Sequence, residues 1–132
     1  MKVQLDKSEM LEVLHNAFCN GGLTELQYCD VELDLDKKEY DKASKRLRKN
    51  MVEGEILCYE DVFIEMLKEG KTIHFKDYND DTRIGFNIDK AVDALSKQDS
   101  AKEVLETLDG RDDAWTGFNL IQRCLYGDVI YG

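Results

Sequence analysis

The chain contains no proline, one tryptophan, two histidines and no run of 18 apolar residues. Without proline, low-complexity sequence or a repeat of fixed period there is no rigid spacer and no seam, so a single globular domain over residues 1–132 is expected. The absence of a long apolar run excludes an obvious transmembrane helix, and the N-terminal MKVQLDKSEM lacks the apolar centre of a secretory signal. A cytoplasmic protein without a membrane partner is the expectation. Basic residues are also scarce: 18 Lys and Arg stand against 28 Asp and Glu, for a formal charge of −10. Such a balance disfavours non-specific binding of DNA or anionic lipid by the protein as a whole, so any nucleic-acid contact must be local.

Cysteines are few and unpaired in spacing. Cys19, Cys29, Cys58 and Cys124 are separated by 10, 29 and 66 residues, which matches no C-x₂-C ligand pattern and leaves reduced thiols buried as small hydrophobes as the default. His15 and Cys19 have the i, i+4 spacing that can ligate zinc on a helix, but two histidines leave the set short, and neither a metal nor a cofactor is expected. The nucleophile elbow, the P-loop, the dinucleotide fingerprint and H-E-x-x-H are all missing.

Periodicity supplies the architecture. Asp6 and Glu9 have capping-box spacing, flanked by Leu5 and Met10 as a staple, and the apolar face continues through Leu11, Leu14 and Phe18 to a stop at Gly21-Gly22. Residues 28–35 alternate, placing Val31, Leu33 and Leu35 on one face of a strand and Asp30, Glu32 and Asp34 about 7 Å apart on the other. Asp36 and Glu39 repeat the capping box before a second helix, in which Tyr40, Ala43, Leu47 and Met51 form the buried side. Tyr59–Glu69 reads as a third helix ended by Gly70, and residues 71–86 as a hairpin turning at Tyr78-Asn79-Asp80-Asp81. Its polar face carries His74, Lys76 and Arg83, suited to stand across from the acidic strand.

Asn87 caps a helix with Ile88, Ala91, Val92 and Leu95 inward. Ser100 and Glu103 suggest another capping box before Val104, Leu105 and Leu108. A final helix from Asp112 or Asp113 buries Trp115, Phe118, Ile121 and Leu125 and stops at Gly127, and the apolar residues 128–132 dock as a short edge strand. The sum is an α+β fold, a small mostly antiparallel sheet of about three or four strands with about five helices in one layer on one face.

Charge patterning supplies the candidate sites. Residues 37–50 hold seven of the 18 basic residues and only Glu39 and Asp41 as acids. Lys38, Lys42, Lys45 and Lys49 fall at i, i+4, i+7 and i+11, which at about 100° per residue is one stripe opposite the buried side. A like-charged stripe is commonly a solvated face; the alternative, with Arg46 beside it, is a contact surface for an acidic protein or for phosphates. Asp30, Glu32 and Asp34 form a secondary acidic surface, comparable by charge alone to inhibitors that mimic DNA. Asp77–Asp81 crowds oxygen ligands as a cation loop would, without the length, glycine and terminal glutamate of an EF-hand. The leading expectation is a small non-enzymatic interaction or regulatory protein with a protein partner. A nucleic-acid accessory protein using the lysine stripe comes second, and a small enzyme centred on His74 third.

Overall fold

The computed structural model describes residues 5–132, so the first four residues of the expected domain lie outside it. α1 (Lys7–Cys19) starts at the expected capping box: Asp6 accepts from the Glu9 amide at 2.8 Å and the Glu9 carboxylate accepts from the Asp6 amide at 3.4 Å. Gly21, at φ +90°, ends that helix only to launch another, α2 (Gly22–Tyr28), where a turn into a strand was expected. The reason is the Leu23/Leu26 pair, which presents helical spacing to the core. Tyr28 consequently falls on α2 and is exposed, and Asp30 takes a left-handed φ of +60°. β1 is therefore only Val31–Leu33.

β1 leads through Asp36 into α3 (Lys37–Lys49), followed by α4 (Tyr59–Lys68) and the hairpin β2 (Ile73–Asp77) and β3 (Thr82–Phe86). The Asp36 cap is one-sided: its carboxylate accepts from the Lys38 and Glu39 amides, whereas Glu39 turns away to Lys42 and Lys71. The strands form an antiparallel sheet in the order β1-β2-β3, with Val31 opposite Asp77, Leu33 opposite Phe75, and Phe75 opposite Ile84. This register puts Val31, Ile73, Phe75 and Phe86 on the helix-covered face and Glu32, His74, Lys76 and Arg83 on the other.

α5 (Ile88–Leu95), a single 3₁₀ turn, α6 (Ala101–Leu108) and α7 (Ala114–Tyr126) complete the described fold, giving seven α-helices rather than about five. α1 runs through the middle of the helical layer, touching α2, α4, α5, α6 and α7. Its Phe18 stacks on Phe86 at 6.3 Å and meets Phe63 edge-on at 5.6 Å, joining α1 to the sheet and to α4. Against α7 the backbones come close, since a Cβ on Gly117 would lie 2.7 Å from the carbonyl oxygen of Ala17, and one on Gly22 would lie 2.8 Å from Gly117.

Three expectations around α6 and α7 are corrected. Ser100 does not cap α6 with its side chain; its hydroxyl donates to the Ala94 carbonyl at 2.9 Å, and Glu103 turns to Arg123 at 3.2 Å. Leu105 and Leu108 lie partly in solvent because Val104 and Thr107 take the buried face. Trp115, expected in the core, is 54% exposed: it occupies the first turn of α7, one residue from the buried Thr116–Phe118 run.

Residues 128–132 do dock, but not as a strand. The buried Gln122 side chain accepts from the amides of Ile130 and Tyr131 at 3.0 and 2.8 Å and donates to the Tyr131 carbonyl at 3.1 Å. Tyr131 then donates its hydroxyl to Asp77 at 2.8 Å, beside the Tyr126 hydroxyl at 2.7 Å. Asp77 ends the inward alternation of β2 and is 1% exposed. Its burial pushes the carboxyl pKa up, but the donors Tyr126, Tyr131 and Asn79 together outweigh this and hold it below the ordinary range.

Candidate functional site

All four stripe lysines, Lys38, Lys42, Lys45 and Lys49, are exposed, on the side of α3 opposite the buried Ala43 and the partly buried Tyr40 and Leu47. Lys42 lies 3.6 Å from Glu39, an i, i+3 pair too exposed to hold it firmly. Arg46 does not belong to the free face. It is half-buried and turned to α4, with Nε 3.5 Å from Glu65 and 3.7 Å from Glu69. Among the described residues, the basic side chains without an ion pair are Lys37, Lys38, Lys45, Arg48, Lys49, Lys68 and Lys90. Lys90 instead donates to the Gly85 and Leu125 carbonyls, so all but one of the rest lie on α3.

The acidic strand is matched only in part by the hairpin. Arg83 Nε donates to Asp34 at 2.8 Å, as the pairing of opposite charges requires. Glu32 stands across from Lys76 in the register, yet the Lys76 ammonium goes to Asp81 at 2.6 Å. Asp30 belongs to the corner before β1, where the Asp30 carbonyl accepts from the Tyr78 amide. The three acids therefore do not act as one row.

His74 lies over Gly85, whose missing side chain leaves room for the ring; a Cβ there would stand 3.0 Å from His74 Cδ2. Burial and then the Arg83 charge lower its pKa, so the ring is neutral at pH 7, and its Nδ1 has no hydrogen-bond partner. No carboxylate bonds it among the described residues. The convergence needed for His74 to act as a general base is not formed.

Other titratable groups converge where they were not expected. Between α1, α3 and α4 lies a cleft of about 270 Å³, walled by Leu47, Met51, Ile56 and Ile64, with His15 and Asp61 also lining it. His15 Nε2 is 2.9 Å from Asp61 Oδ1, and the Cys19 sulfur lies 3.8 Å from both ring nitrogens. Thiol, imidazole and carboxylate are the groups of a nucleophilic triad. However, burial and the neighbouring acids Glu60 and Asp61 raise the Cys19 pKa, which keeps the sulfur protonated and a poor nucleophile at neutral pH. Although Cys19, His15 and Asp61 adjoin, they are not among any group of three or more side chains placed to hold a metal ion in the described residues. The Asp77–Asp81 loop spends its oxygens internally: Asp77 on the two tyrosines, Asp80 on Thr82, and Asp81 on Lys76.

No family model matches the chain, and comparison with curated proteins and with solved structures returned no match. No helix of the described residues is long and apolar enough to cross a membrane.

The His15–Asp61 bond spans 46 residues and left no trace in local spacing. The apolar run Ile56-Leu57 in the α3–α4 loop lines the cleft, but nothing in its local spacing set it apart from core. The cysteines follow burial less than expected. Cys124 is fully enclosed, whereas Cys19 and Cys58 are exposed.

Proposed function

We propose that this protein is a non-enzymatic interaction protein that binds an acidic surface of a protein partner through the lysine face of α3. The observation that carries this reading is the distribution of unpaired positive charge. Elsewhere in the described structure nearly every cation is matched by a carboxylate or by carbonyls, while Lys37, Lys38, Lys45, Arg48 and Lys49 are held together on one helix without an ion pair. Like charges at i, i+4 spacing destabilise an isolated helix by a few tenths of a kcal/mol per pair, so the face carries a standing electrostatic cost that an acidic partner would relieve.

Size favours a compact protein patch over a duplex. Thirteen helical residues span about 20 Å, whereas double-stranded DNA carries a negative charge about every 1.7 Å along its axis and would run beyond α3 over a body of net negative charge. α3 also offers no exposed aromatic ring on which a single strand could stack.

The test is fluorescence anisotropy with a labelled glutamate-rich peptide, run beside a labelled DNA duplex of comparable charge. The wild-type protein should bind the peptide more tightly as salt falls, and the K38E/K45E/K49E variant should bind at least tenfold more weakly. Equal binding by the two proteins, or none by the wild type, refutes the assignment of the face. Tighter binding of the duplex than of the peptide refutes the assignment of the partner.

A further inference from the structure

A second cleft, of about 280 Å³, opens between α6 and the first turns of α7. Glu103, Glu106 and Asp113 line it, with Lys102 as the one cation among the described residues, and Trp115 also lines it, with a half-exposed indole braced edge-on against Phe118 at 5.5 Å. The carboxylates are not equivalent. Asp113 is committed to capping α7, and Glu106 accepts from the Thr116 hydroxyl at 2.9 Å while lying 4.0 Å from the largely exposed Lys102 ammonium.

Glu103 is the unusual member. Its side chain is 10% exposed, and Oε1 accepts from Arg123 at 3.2 Å, but Oε2 is buried with no hydrogen-bond partner among the described residues. Arg123 Nε is likewise unpartnered, so the pair makes one contact where a guanidinium and a carboxylate can make two. A carboxyl oxygen buried without a donor is costly, and this one belongs to a residue lining an otherwise acidic cleft.

We infer that this cleft binds an organic cation, an alkyl guanidinium or ammonium, held between the Trp115 indole and the carboxylates of Glu103 and Glu106. The chemistry is complementary on each count. A guanidinium or ammonium is a donor and counter-charge for the carboxylates that line the cleft, and its apolar stem and cation suit an aromatic wall. The group could be delivered by a free amine or by an arginine or lysine side chain of a peptide. The site is remote in sequence from α3 and uses none of its residues, so it stands or falls separately from the lysine face.

Trp115 is the only tryptophan in the chain, which makes its emission a reporter of this cleft. Agmatine and the peptide acetyl-Gly-Arg-Gly-amide are titrated at constant ionic strength, with acetyl-Gly-citrulline-Gly-amide as the uncharged control. Saturable change with either cation, and at least tenfold weaker binding in both Glu103→Gln and Glu106→Gln, is the expected result. Glu106→Gln leaves the Arg123 pair intact, so the site remains testable if Glu103→Gln fails to fold. Equal binding of agmatine and peptide would identify a free amine as sufficient, and tenfold preference for the peptide a presented side chain; both support the shared chemistry. Absence of saturable change at millimolar cation, an equal response to the citrulline peptide, or unchanged affinity in Glu106→Gln overturns the inference.

Discussion

Replacing Tyr131 by phenylalanine removes one hydroxyl and leaves the ring, and its effect can be worked out from the surroundings of Asp77. In the native protein that carboxylate accepts from Tyr131, from Tyr126 and from Asn79, and Asn79 also donates to the Tyr131 oxygen at 3.2 Å. A hydrogen bond to a charged group contributes roughly 1.5–3 kcal/mol, and because Asp77 keeps its other donors no charge is left bare, so the lower part of that range applies, about 1.5 kcal/mol. The folded pKa of Asp77 is depressed, so its contribution is present above the unfolded carboxylate value, near 4, and fades as pH falls through the lower folded value. Urea unfolding of Tyr131→Phe should therefore show the full loss at pH 7, at unchanged denaturant slope, and a smaller loss toward pH 2, where a neutral carboxyl is the acceptor. In a double-mutant cycle, the cost of Tyr131→Phe should mostly disappear when it is introduced into the Asp77→Asn background. A loss below about 0.3 kcal/mol at pH 7, well under the expected range for a charged hydrogen bond, would refute the reasoning, as would a loss that grows in acid.

Gly117→Ala should destabilise by about 1–3 kcal/mol or more in thermal or urea unfolding, since its methyl would strike backbone that cannot move aside. Arg123→Ala should cost about 3–5 kcal/mol by stranding the buried Glu103, whereas Arg46→Ala, which breaks more exposed pairs on α3 and α4, should cost about 1 kcal/mol or less in the same assay. A thiol reagent should modify Cys19 and Cys58 in the native protein and Cys124 only on unfolding, as intact mass after timed labelling would show.

What local pattern could reveal was written in the chain: the Asp6–Glu9 box, the hairpin at 78–81, the exposed side of α3 and the Gly127 stop all follow from interactions within a few residues. The errors arose where a distant partner overrode that pattern. Glu103 satisfies the spacing of a capping box with Ser100 but is claimed by Arg123, 20 residues on, and Ser100 is drawn to Ala94. Alternation through residues 28–35 resembled one long strand, yet Leu23 and Leu26 continue the helical packing and Asp30 turns the corner. Asp77 looked like a turn residue because nothing nearby announces the hydroxyls of Tyr126 and Tyr131. The exposure of Lys38, Lys42, Lys45 and Lys49 was legible because helical period alone sets it, whereas Arg46 is drawn to Glu65 and Glu69 on α4, which no local spacing announces.

The seating of α1 against α7 sets an order on biosynthesis. α1 ends at Cys19 and α7 begins at Ala114, so at bacterial-to-eukaryotic elongation rates of about 5–20 residues per second the α1 side of that seam waits roughly 5–20 s for its counterpart. During that interval Ala17, destined for the interior, remains without the Gly117 backbone that finally covers it. Apolar surface exposed on a nascent chain is prone to aggregate, and synonymous changes that slow translation between the two helices would lengthen that exposure without altering a single residue.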